Sequence, residues 1–502
     1  MFSALWWWLV VQVIALCATP LCLALFRPLA DRGYGLSKAF GLLVFGYAVW
    51  LIGVLQLLPN GWGAYLLAFL LIGVGSYLVW RRETAEAGGN AASLLAFFRR
   101  RRGLLLIEEG IFLFVFLGFL FIRSYNADIA GTEKFMDFAF MNAVTRSESF
   151  PPLDPWLAPS PTVPKPTINY YYFGYLIQGL LLSISGLPPA EGFNLALSLI
   201  FGLAAVGAFS LVYGLARDTV AEGQGARIRG KGSSAQPGQG DQSSVVGRRL
   251  SVRPIPSWSF KAARPYVVAG ALGAYMLLVA GNLWSALRRF DGSGMWEKDF
   301  WQGIGWNATR VLVIKQGDRD IDYTINEFPA FSFLLGDLHP HVLALPFVIL
   351  AVGLAYRWLM QPPLLFRHAI AGEALEVSGD APSDEAPWRN GARRLAPVAE
   401  LLPGAMILGS LYFLNSWDFP AYFALAQACA IAGAWWLGLR EEVGISWART
   451  IGVVALVGLL AIVLFLPFHL NFKPPVVAEG GGLPLGLVTQ RSQLGQFVQF
   501  WG

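Results

Sequence analysis

Ten runs of about 20 apolar residues constrain this chain more than any other feature of its sequence. A helix needs about 20 apolar residues to cross the hydrocarbon core of a bilayer, so each run is long enough to be a transmembrane helix. The runs lie at 3–26, 38–58, 62–80, 103–122, 193–216, 265–287, 341–360, 397–414, 421–439 and 450–467. The sequence therefore predicts an all-α polytopic membrane protein with about ten transmembrane helices.

The composition excludes a soluble globular protein and a disordered chain. Of the 502 residues, 55% are apolar and 14% are charged, whereas soluble domains carry about 25% charged residues. The net charge of +5 is typical of a membrane protein with basic cytoplasmic loops, so we predict no nucleic-acid partner. The three cysteines (Cys17, Cys22 and Cys429) lie in apolar runs, which excludes a disulfide framework.

Basic residues predict which loops are cytoplasmic. An eleventh apolar stretch, 170–187, is shorter than the others; if it crossed the membrane, the loop 217–264 with its nine Lys and Arg residues would lie outside the cell. If 170–187 is instead an interfacial or re-entrant helix, the inside loops hold 25 of the 37 basic residues. We therefore expect a multi-pass protein of the cell membrane, with a juxtamembrane helix at 170–187 and the polar segments 123–169 and 288–339 on the extracytoplasmic face.

The same pattern divides the chain into four segments. Residues 1–102 form a three-span N-terminal extension, 103–216 hold one span, an acidic outer loop, the interfacial helix and the next span, and 265–502 hold the remaining spans. Between them, 217–264 is predicted to be a disordered cytoplasmic insert, because 221–256 is rich in Gly, Ser, Gln and Pro. Apolar residues resume at the end of the chain, as expected of the front portion of a longer protein.

Two acidic residues follow the fourth predicted span. Glu133 and Asp137 are four residues apart in a stretch with helical character that Thr132 is predicted to cap, so both carboxylates share one helix face. Like charges at this spacing mildly destabilise a helix unless a metal ion, a basic partner or a substrate proton uses them. Glu133 and Asp137 are therefore candidate catalytic residues, and a solvated helix face is the alternative.

A histidine motif stands at the outer end of the seventh predicted span. Asp337, His339 and His341 combine a carboxylate with two imidazoles, which is a metal-ligand or acid–base set. Pro340 restricts His339 to extended geometry, so the two rings need not point the same way. We predict a divalent metal ion, Mn²⁺ or Zn²⁺, on these three residues; hydrogen bonds from the histidines to the loop backbone are the alternative.

Lipid or substrate contacts are predicted in two further places. Lys165 precedes Tyr170, Tyr171 and Tyr172, and a lysine above an aromatic belt can bind a lipid phosphate while the rings hold the chain. A plain aromatic belt at the membrane interface is the alternative. Asp418 lies in an aromatic turn between two spans and is a candidate substrate-binding residue.

Five motifs resemble those of the uncharacterised "YYY" family of polytopic membrane proteins. These motifs are Glu133–Asp137, Phe150–Trp156, Asn169–Tyr175, Gly336–His341 and Asn415–Pro420. The resemblance runs from about residue 40 to the C-terminus, and its tyrosine and Gly-Asp-Leu-His-Pro-His motifs are the most specific.

That family is in turn similar to the GT-C superfamily of glycosyltransferases, which use sugars carried on polyprenyl phosphate. In those enzymes a span is followed by an outer loop with an acidic pair and then by a Lys-Pro block on a juxtamembrane helix. Glu133, Asp137 and Lys165-Pro166 follow one another in that order here. The resemblance implies a GT-C-like fold, with Glu133 or Asp137 as the base and with Lys165 or the metal at the leaving phosphate.

These features predict a membrane glycosyltransferase that moves a sugar from a polyprenyl-phosphate-linked donor to an acceptor on the extracytoplasmic face. A nucleotide-sugar pool is absent outside the cell, so the donor must arrive on a membrane lipid. A transporter or lipid flippase is the alternative and would need ionisable residues inside the spans, where Glu108 and Glu109 stand out. A non-catalytic membrane assembly subunit is a third interpretation. The sugar and the acceptor do not follow from the sequence.

Overall fold

The part of the chain that the structure describes is mostly helical and contains a two-stranded sheet. The computed structural model describes residues 1–86, 94–231, 259–282, 284, 287, 305–316, 319–371, 396–441, 446–473 and 493–501. The helices are α1 (Phe2–Leu25), α2 (Ser37–Val54), α3 (Trp62–Glu86), α4 (Leu94–Ser124), α5 (Lys134–Arg146), α6 (Phe173–Ser185), α7 (Pro189–Lys231), α8 (Phe260–Leu278), α9 (Pro329–Leu335), α10 (Pro340–Met360), α11 (Leu364–Ala371), α12 (Leu402–Leu414), α13 (Asp418–Glu441), α14 (Trp447–Leu464), α15 (Leu466–Asn471) and α16 (Leu494–Trp501). Strands β1 (Val313–Gln316) and β2 (Arg319–Tyr323) pair antiparallel.

Nine helices of the described chain are long and apolar enough to cross a membrane, which confirms the predicted class of all-α polytopic membrane protein. The spans are Phe2–Leu25, Tyr34–Val54, Trp62–Ala85, Leu95–Ser124, Pro189–Val220, Pro340–Met360, Ala396–Leu414, Asp418–Gly438 and Trp447–Leu464. The tenth predicted span, 265–287, differs. It is not among these nine helices: its described part lies in α8, and its end falls partly outside the described residues.

Helix α6 corresponds to the short apolar stretch that charge distribution excludes from the spans. Its 13 residues extend only about 20 Å, against about 30 Å for a bilayer core. Residues 173–182 are all buried, so the helix packs inside the protein rather than lying on its surface. The short helix is therefore part of the protein core.

Helices α1–α3 share one continuous apolar core with the later helices. In α2, Gly41 permits close approach to α1, since a Cβ there would lie 2.9 Å from the Cα of Ala15. Further along α2, Trp50 stacks on Phe465 with ring centroids 5.9 Å apart, and its indole N–H donates a 3.0 Å hydrogen bond to the Tyr172 hydroxyl. The N-terminal extension is therefore packed into the body of the protein.

Helix α7 extends further than predicted. It continues to Lys231, so residues 217–231 of the insert predicted to be disordered are helical, while 232–258 lie outside the described residues. The hydroxyl of Tyr356 in α10 donates a 2.5 Å hydrogen bond to Asp218, and this contact stabilises the start of the extension.

Candidate active site

Helix α5 begins in a tight left-handed turn that separates the two acidic side chains. Gly131 and Thr132 have positive φ angles of 78° and 51°, so Glu133, and not the predicted Thr132, is the N-cap. Asp137 then lies in the first turn, with its N–H donating to the Glu133 carbonyl at 3.1 Å. The side chain of Glu133 is 58% exposed, whereas Asp137 is fully buried. The predicted pair therefore occupies two different environments.

Asp137 lies next to a second buried carboxyl, that of Asp337. The Tyr175 hydroxyl donates a hydrogen bond to Oδ1 of Asp137, and Asp337 interacts with the same carboxyl. Burial raises the pKa of Asp137 to about 9, and Asp337 adds to the increase. The raised pKa makes the buried Asp137–Asp337 pair hold a proton at neutral pH, so the exposed Glu133 is the carboxylate of the acidic motif that is available as a base.

The turn between α9 and α10 positions the histidine motif. Helix α9 ends at Gly336, whose φ angle is 77° and where a Cβ would lie 2.7 Å from the Arg123 guanidinium. Helix α10 starts at Pro340, and His339 is its extended N-cap, as Pro340 predicts. This turn places Asp337 against Asp137, while the imidazole rings contact Glu133 and Glu327.

The two rings lie in a chain of contacts between two carboxylates. Nε2 of His339 is 2.6 Å from Oε2 of Glu133, and Nδ1 of His339 is 3.0 Å from Nδ1 of His341. Nε2 of His341 is 3.4 Å from Oε2 of Glu327. The Tyr170 hydroxyl also lies 3.2 Å from Nε2 of His339. Within the described residues, the two rings therefore contact each other, acidic side chains and the hydroxyls of Tyr170 and Ser332, and no hydrogen bond joins them to loop backbone.

Burial and hydrogen bonds determine the charges of His339 and Glu327. Burial, together with the neighbouring His341, lowers the pKa of His339, so this ring is neutral at pH 7. Burial alone would raise the pKa of Glu327, but hydrogen bonds from His341 and Ser332 outweigh it and lower the pKa. The Ser332 hydroxyl donates to Glu327 at 2.8 Å. Glu327 is therefore a carboxylate at neutral pH.

These groups line a cavity of about 670 Å³. Its wall includes Thr132, Glu133, Trp306, Arg310, Ile325, Asn326, Glu327, Phe331, Leu335, Asp337, His339 and His341. The guanidinium carbon of Arg310 lies 3.3 Å from the ring centroid of Trp306, and its buried Nε has no hydrogen-bond acceptor in the described chain. Arg310 therefore brings positive charge to a wall that also carries the carboxyl groups of Glu133, Glu327 and Asp337.

The other predicted site residues lie at the same end of the helices but outside this cavity. The Tyr171 hydroxyl is 2.8 Å from the Ser416 hydroxyl, and Asp418 accepts a 3.1 Å hydrogen bond from Asn415. Tyr172 is buried in the core against Trp50, so its position gives no support to a substrate contact.

Lys165 lines a second cavity of about 1090 Å³. Arg146, at the end of α5, lines the same cavity together with Asn142, Asp154 and several apolar residues. Glu133 stands at the opposite end of α5, about 20 Å away along its 13 residues. The structure therefore does not bring Lys165 together with the acidic and histidine groups.

The predicted metal ligands are not arranged as one set. Among the residues that the structure describes, no group of three His, Cys, Asp or Glu side chains could hold a metal ion. Asp337 interacts with Asp137, whereas the rings of His339 and His341 contact each other and Glu133 or Glu327. Metal binding by His339 and His341 stays a prediction. Asp337 is paired with Asp137 and is therefore not positioned as a third ligand.

Sequence reasoning missed Arg310, Glu327 and Ser332. Their only signal is that all three fall in the polar segment 288–339, which the charge distribution places beside the histidine motif. Helix α9 lies between Glu327 and His341 in the chain, and the fold brings the two side chains to 3.4 Å from each other.

No curated protein and no solved structure matches this chain, so the comparisons give no support for or against the GT-C relationship. Residues 44–502 match the family described as "Uncharacterized membrane protein (DUF2298)". This range includes all five motifs of the resemblance, from the acidic pair to the turn at Asn415–Pro420. Because the match covers most of its length, the chain belongs to this family of multi-pass membrane proteins, the YYY family.

Proposed function

We propose that this protein is a membrane glycosyltransferase that moves a sugar from a polyprenyl-phosphate donor to an acceptor on the extracytoplasmic face. The observation that carries the proposal is the pairing of Glu133 with His339, 2.6 Å apart, on the wall of a cavity that also contains Arg310. A carboxylate held by an imidazole beside a cation provides a base and an anion-binding group in one place.

In the proposed reaction, Glu133 removes the proton of the acceptor hydroxyl. The acceptor oxygen forms a bond to the anomeric carbon as the bond from that carbon to the phosphate oxygen breaks, and the electron pair leaves with the polyprenyl phosphate. Arg310 stabilises the negative charge on the departing phosphate. His339 orients Glu133 through its Nε2, and the protonated Asp137 holds Asp337 and the turn in place.

The position of the cavity supports a lipid-linked donor. Glu133 and His339 lie next to the ends of α4 and α10, both of which are long enough to cross a membrane. A sugar on a polyprenyl phosphate would be held at this level by its lipid anchor, whereas a water-soluble donor gains nothing from such a location. The order of the acidic pair and the Lys-Pro block, which resembles the GT-C enzymes, supports the same class of donor.

The test uses purified full-length protein in liposomes that contain a panel of polyprenyl-phosphate sugars. We expect release of free polyprenyl phosphate from at least one donor when candidate acceptors are added, measured by mass spectrometry of the extracted lipids. Glu191→Gln, at the start of α7 and outside the cavity, is the matched control for Glu133→Gln. Equal release by wild type and by Glu133→Gln, or no release from any donor, would count against the proposal.

A transporter is the second candidate, because the structure buries an ionisable cluster among the helices. Asp31 accepts hydrogen bonds from the N–H of Gly35 and the hydroxyl of Ser210 at 2.8 and 2.9 Å, and Lys38 pairs with Glu109. Glu108 is fully buried beside them. Buried ionisable groups inside spans are typical of proton or ion pathways.

Proton flux separates this candidate from the transferase. If the cluster is a proton pathway, the interior of liposomes that contain the protein should acidify when the outside solution is made more acidic. Glu108→Gln should abolish this proton flux. Glu83→Gln is the control, because Glu83 pairs with Arg27 and Arg32 and contacts neither Glu108 nor Glu109 in the described chain. Absence of flux in the wild type would leave the cluster as a packing feature.

A further inference from the structure

We propose that His339 and His341 bind one divalent transition-metal ion, Zn²⁺ or Mn²⁺, through their facing Nδ1 atoms, with Glu133 and Glu327 as the acceptors of their Nε2–H groups. The site differs from the predicted set because Asp337 is not a ligand. It concerns metal binding, which can be measured without any transfer activity, so it stands or falls separately from the proposed glycosyltransferase.

The partners of the two Nε2 atoms leave the Nδ1 atoms available for an ion. Glu133 and Glu327 lie 2.6 and 3.4 Å from Nε2 of His339 and His341, and the Tyr170 and Ser332 hydroxyls lie 3.2 and 3.3 Å from the same atoms. When both Nε2 atoms carry the hydrogen of a neutral ring, both Nδ1 atoms carry a lone pair. These two Nδ1 atoms are 3.0 Å apart, and an ion beside the line that joins them can accept both lone pairs.

The distance between the nitrogens suits two ligands of one ion. Zinc–imidazole bonds are about 2.0–2.1 Å long, so two nitrogens 3.0 Å apart subtend an angle of roughly 90° at the ion. That angle is found between neighbouring ligands of a six-coordinate or five-coordinate ion. Imidazole nitrogen favours a transition metal over Ca²⁺, which prefers oxygen.

The surroundings match the usual support of a histidine metal ligand. Such a histidine commonly donates its other N–H to a carboxylate, which fixes the ring and increases the basicity of the ligating nitrogen. Glu133 and Glu327 hold this position for His339 and His341 respectively, and Ser332 fixes Glu327 by a hydrogen bond of 2.8 Å.

The site also leaves room for further ligands. Both rings line the cavity of about 670 Å³, so the ion's remaining positions would be open to water or to an anionic oxygen such as that of a phosphate. The two carboxylates, Glu133 and Glu327, supply the negative charge that balances a divalent ion. When bound, the ion would act as a Lewis acid towards such an oxygen.

The test is direct metal analysis of the purified full-length protein. After chelator treatment and dialysis, we expect Zn²⁺ or Mn²⁺ to rebind at about one equivalent in calorimetry and elemental analysis. Co²⁺ substituted at the site should show the absorption bands of imidazole ligation. His339→Ala and His341→Ala should each lose the ion. His469→Ala is the matched control, because the His469 ring packs on Tyr412 and lies outside the cavity.

A second variant distinguishes loss of metal binding from loss of the fold. Glu327→Gln keeps both rings in place and should weaken metal affinity by about 10-fold to 100-fold, with an unchanged melting temperature for the metal-free protein. The proposal is overturned if wild type takes up no metal, or if the His339→Ala/His341→Ala double variant binds as much as His469→Ala. A protonated histidine pair in nitrogen-15 NMR spectra of metal-treated protein would overturn it equally.

Discussion

The Nε2 atom of His339 lies 2.6 Å from the Oε2 atom of Glu133, which joins the start of α10 to the start of α5. These residues come from separate motifs in distant parts of the chain. Their contact distinguishes Glu133 from Asp137, because it pairs one carboxyl of the acidic motif with an imidazole while the other is buried against Asp337. The assignment of the base follows from this difference.

Replacing Glu133 should abolish most of the transfer activity. Glu133→Gln keeps the size of the side chain but removes the basic oxygen, and we expect turnover of a lipid-linked donor to fall by about 100-fold or more. Asp137→Asn should lower turnover by less than about 10-fold, because the raised pKa of Asp137 already favours its neutral form at pH 7. A larger loss in Asp137→Asn than in Glu133→Gln would reverse the assignment.

The buried Asp137 should make stability depend on pH. Its folded-state pKa of about 9 exceeds the unfolded value of about 4, so between these values the native state holds a proton that the unfolded state lacks. The free energy of unfolding should therefore decrease as pH rises, by up to about 1.4 kcal/mol per pH unit.

Melting temperatures measured from pH 5 to pH 9 test this dependence. Asp137→Asn should flatten the curve, whereas Asp128→Asn, which changes an exposed carboxylate, should leave its slope unchanged. Identical slopes in wild type and in Asp137→Asn would mean that Asp137 is ionised in the folded protein.

Arg310 and Lys165 are competing partners for the donor phosphate. Because Arg310 shares the cavity with Glu133 and Lys165 does not, Arg310→Ala should lower kcat/KM for the lipid donor by about 100-fold. Lys165→Ala should change it by much less, and the measurement is donor consumption over a range of donor concentrations. If Lys165→Ala has the larger effect, the donor phosphate binds in the second cavity, beside Arg146.

Gly336 should tolerate substitution less well than Gly131. Both have positive φ, near 77°, but a Cβ at Gly336 would meet the Arg123 guanidinium at 2.7 Å while Gly131 has open space around it. Gly131→Ala should cost about 1–2 kcal/mol of stability through backbone strain alone. Gly336→Ala should cost more and should also reduce transfer, because the turn carries Asp337 and His339. Equal melting temperatures for both variants would contradict the role of the Arg123 contact.

The orientation of the chain can be tested by labelling single cysteines in a cysteine-free background. Ser160→Cys, in the loop between α5 and α6, should react with an impermeant thiol reagent in intact cells. Gly240→Cys and Asp380→Cys should react only after lysis, because basic residues place their loops inside. Labelling of position 240 from outside would mean that the 170–187 stretch crosses the membrane.

Much of the architecture follows from local sequence. Apolar runs predict nine of the candidate spans, because the number of apolar residues needed to cross a bilayer depends only on its thickness. The charge distribution distinguishes the 170–187 stretch from these spans, since a crossing there would move every later loop to the opposite side of the membrane. The span predicted at 265–287 stays a prediction, because its end lies partly outside the described residues.

Apolar runs and loop charge are enough to predict a polytopic helical membrane protein with Glu133, Asp137 and the histidine motif in segments flanking spans. The raised pKa of Asp137, the contact of His339 with Glu133, and the place of Arg310 rather than Lys165 in their cavity appear only in the folded protein. Span length and loop charge are local properties of a chain. The protonation of a carboxyl and the partner of an imidazole depend on burial and on contacts between distant segments, which exist only after the helices pack.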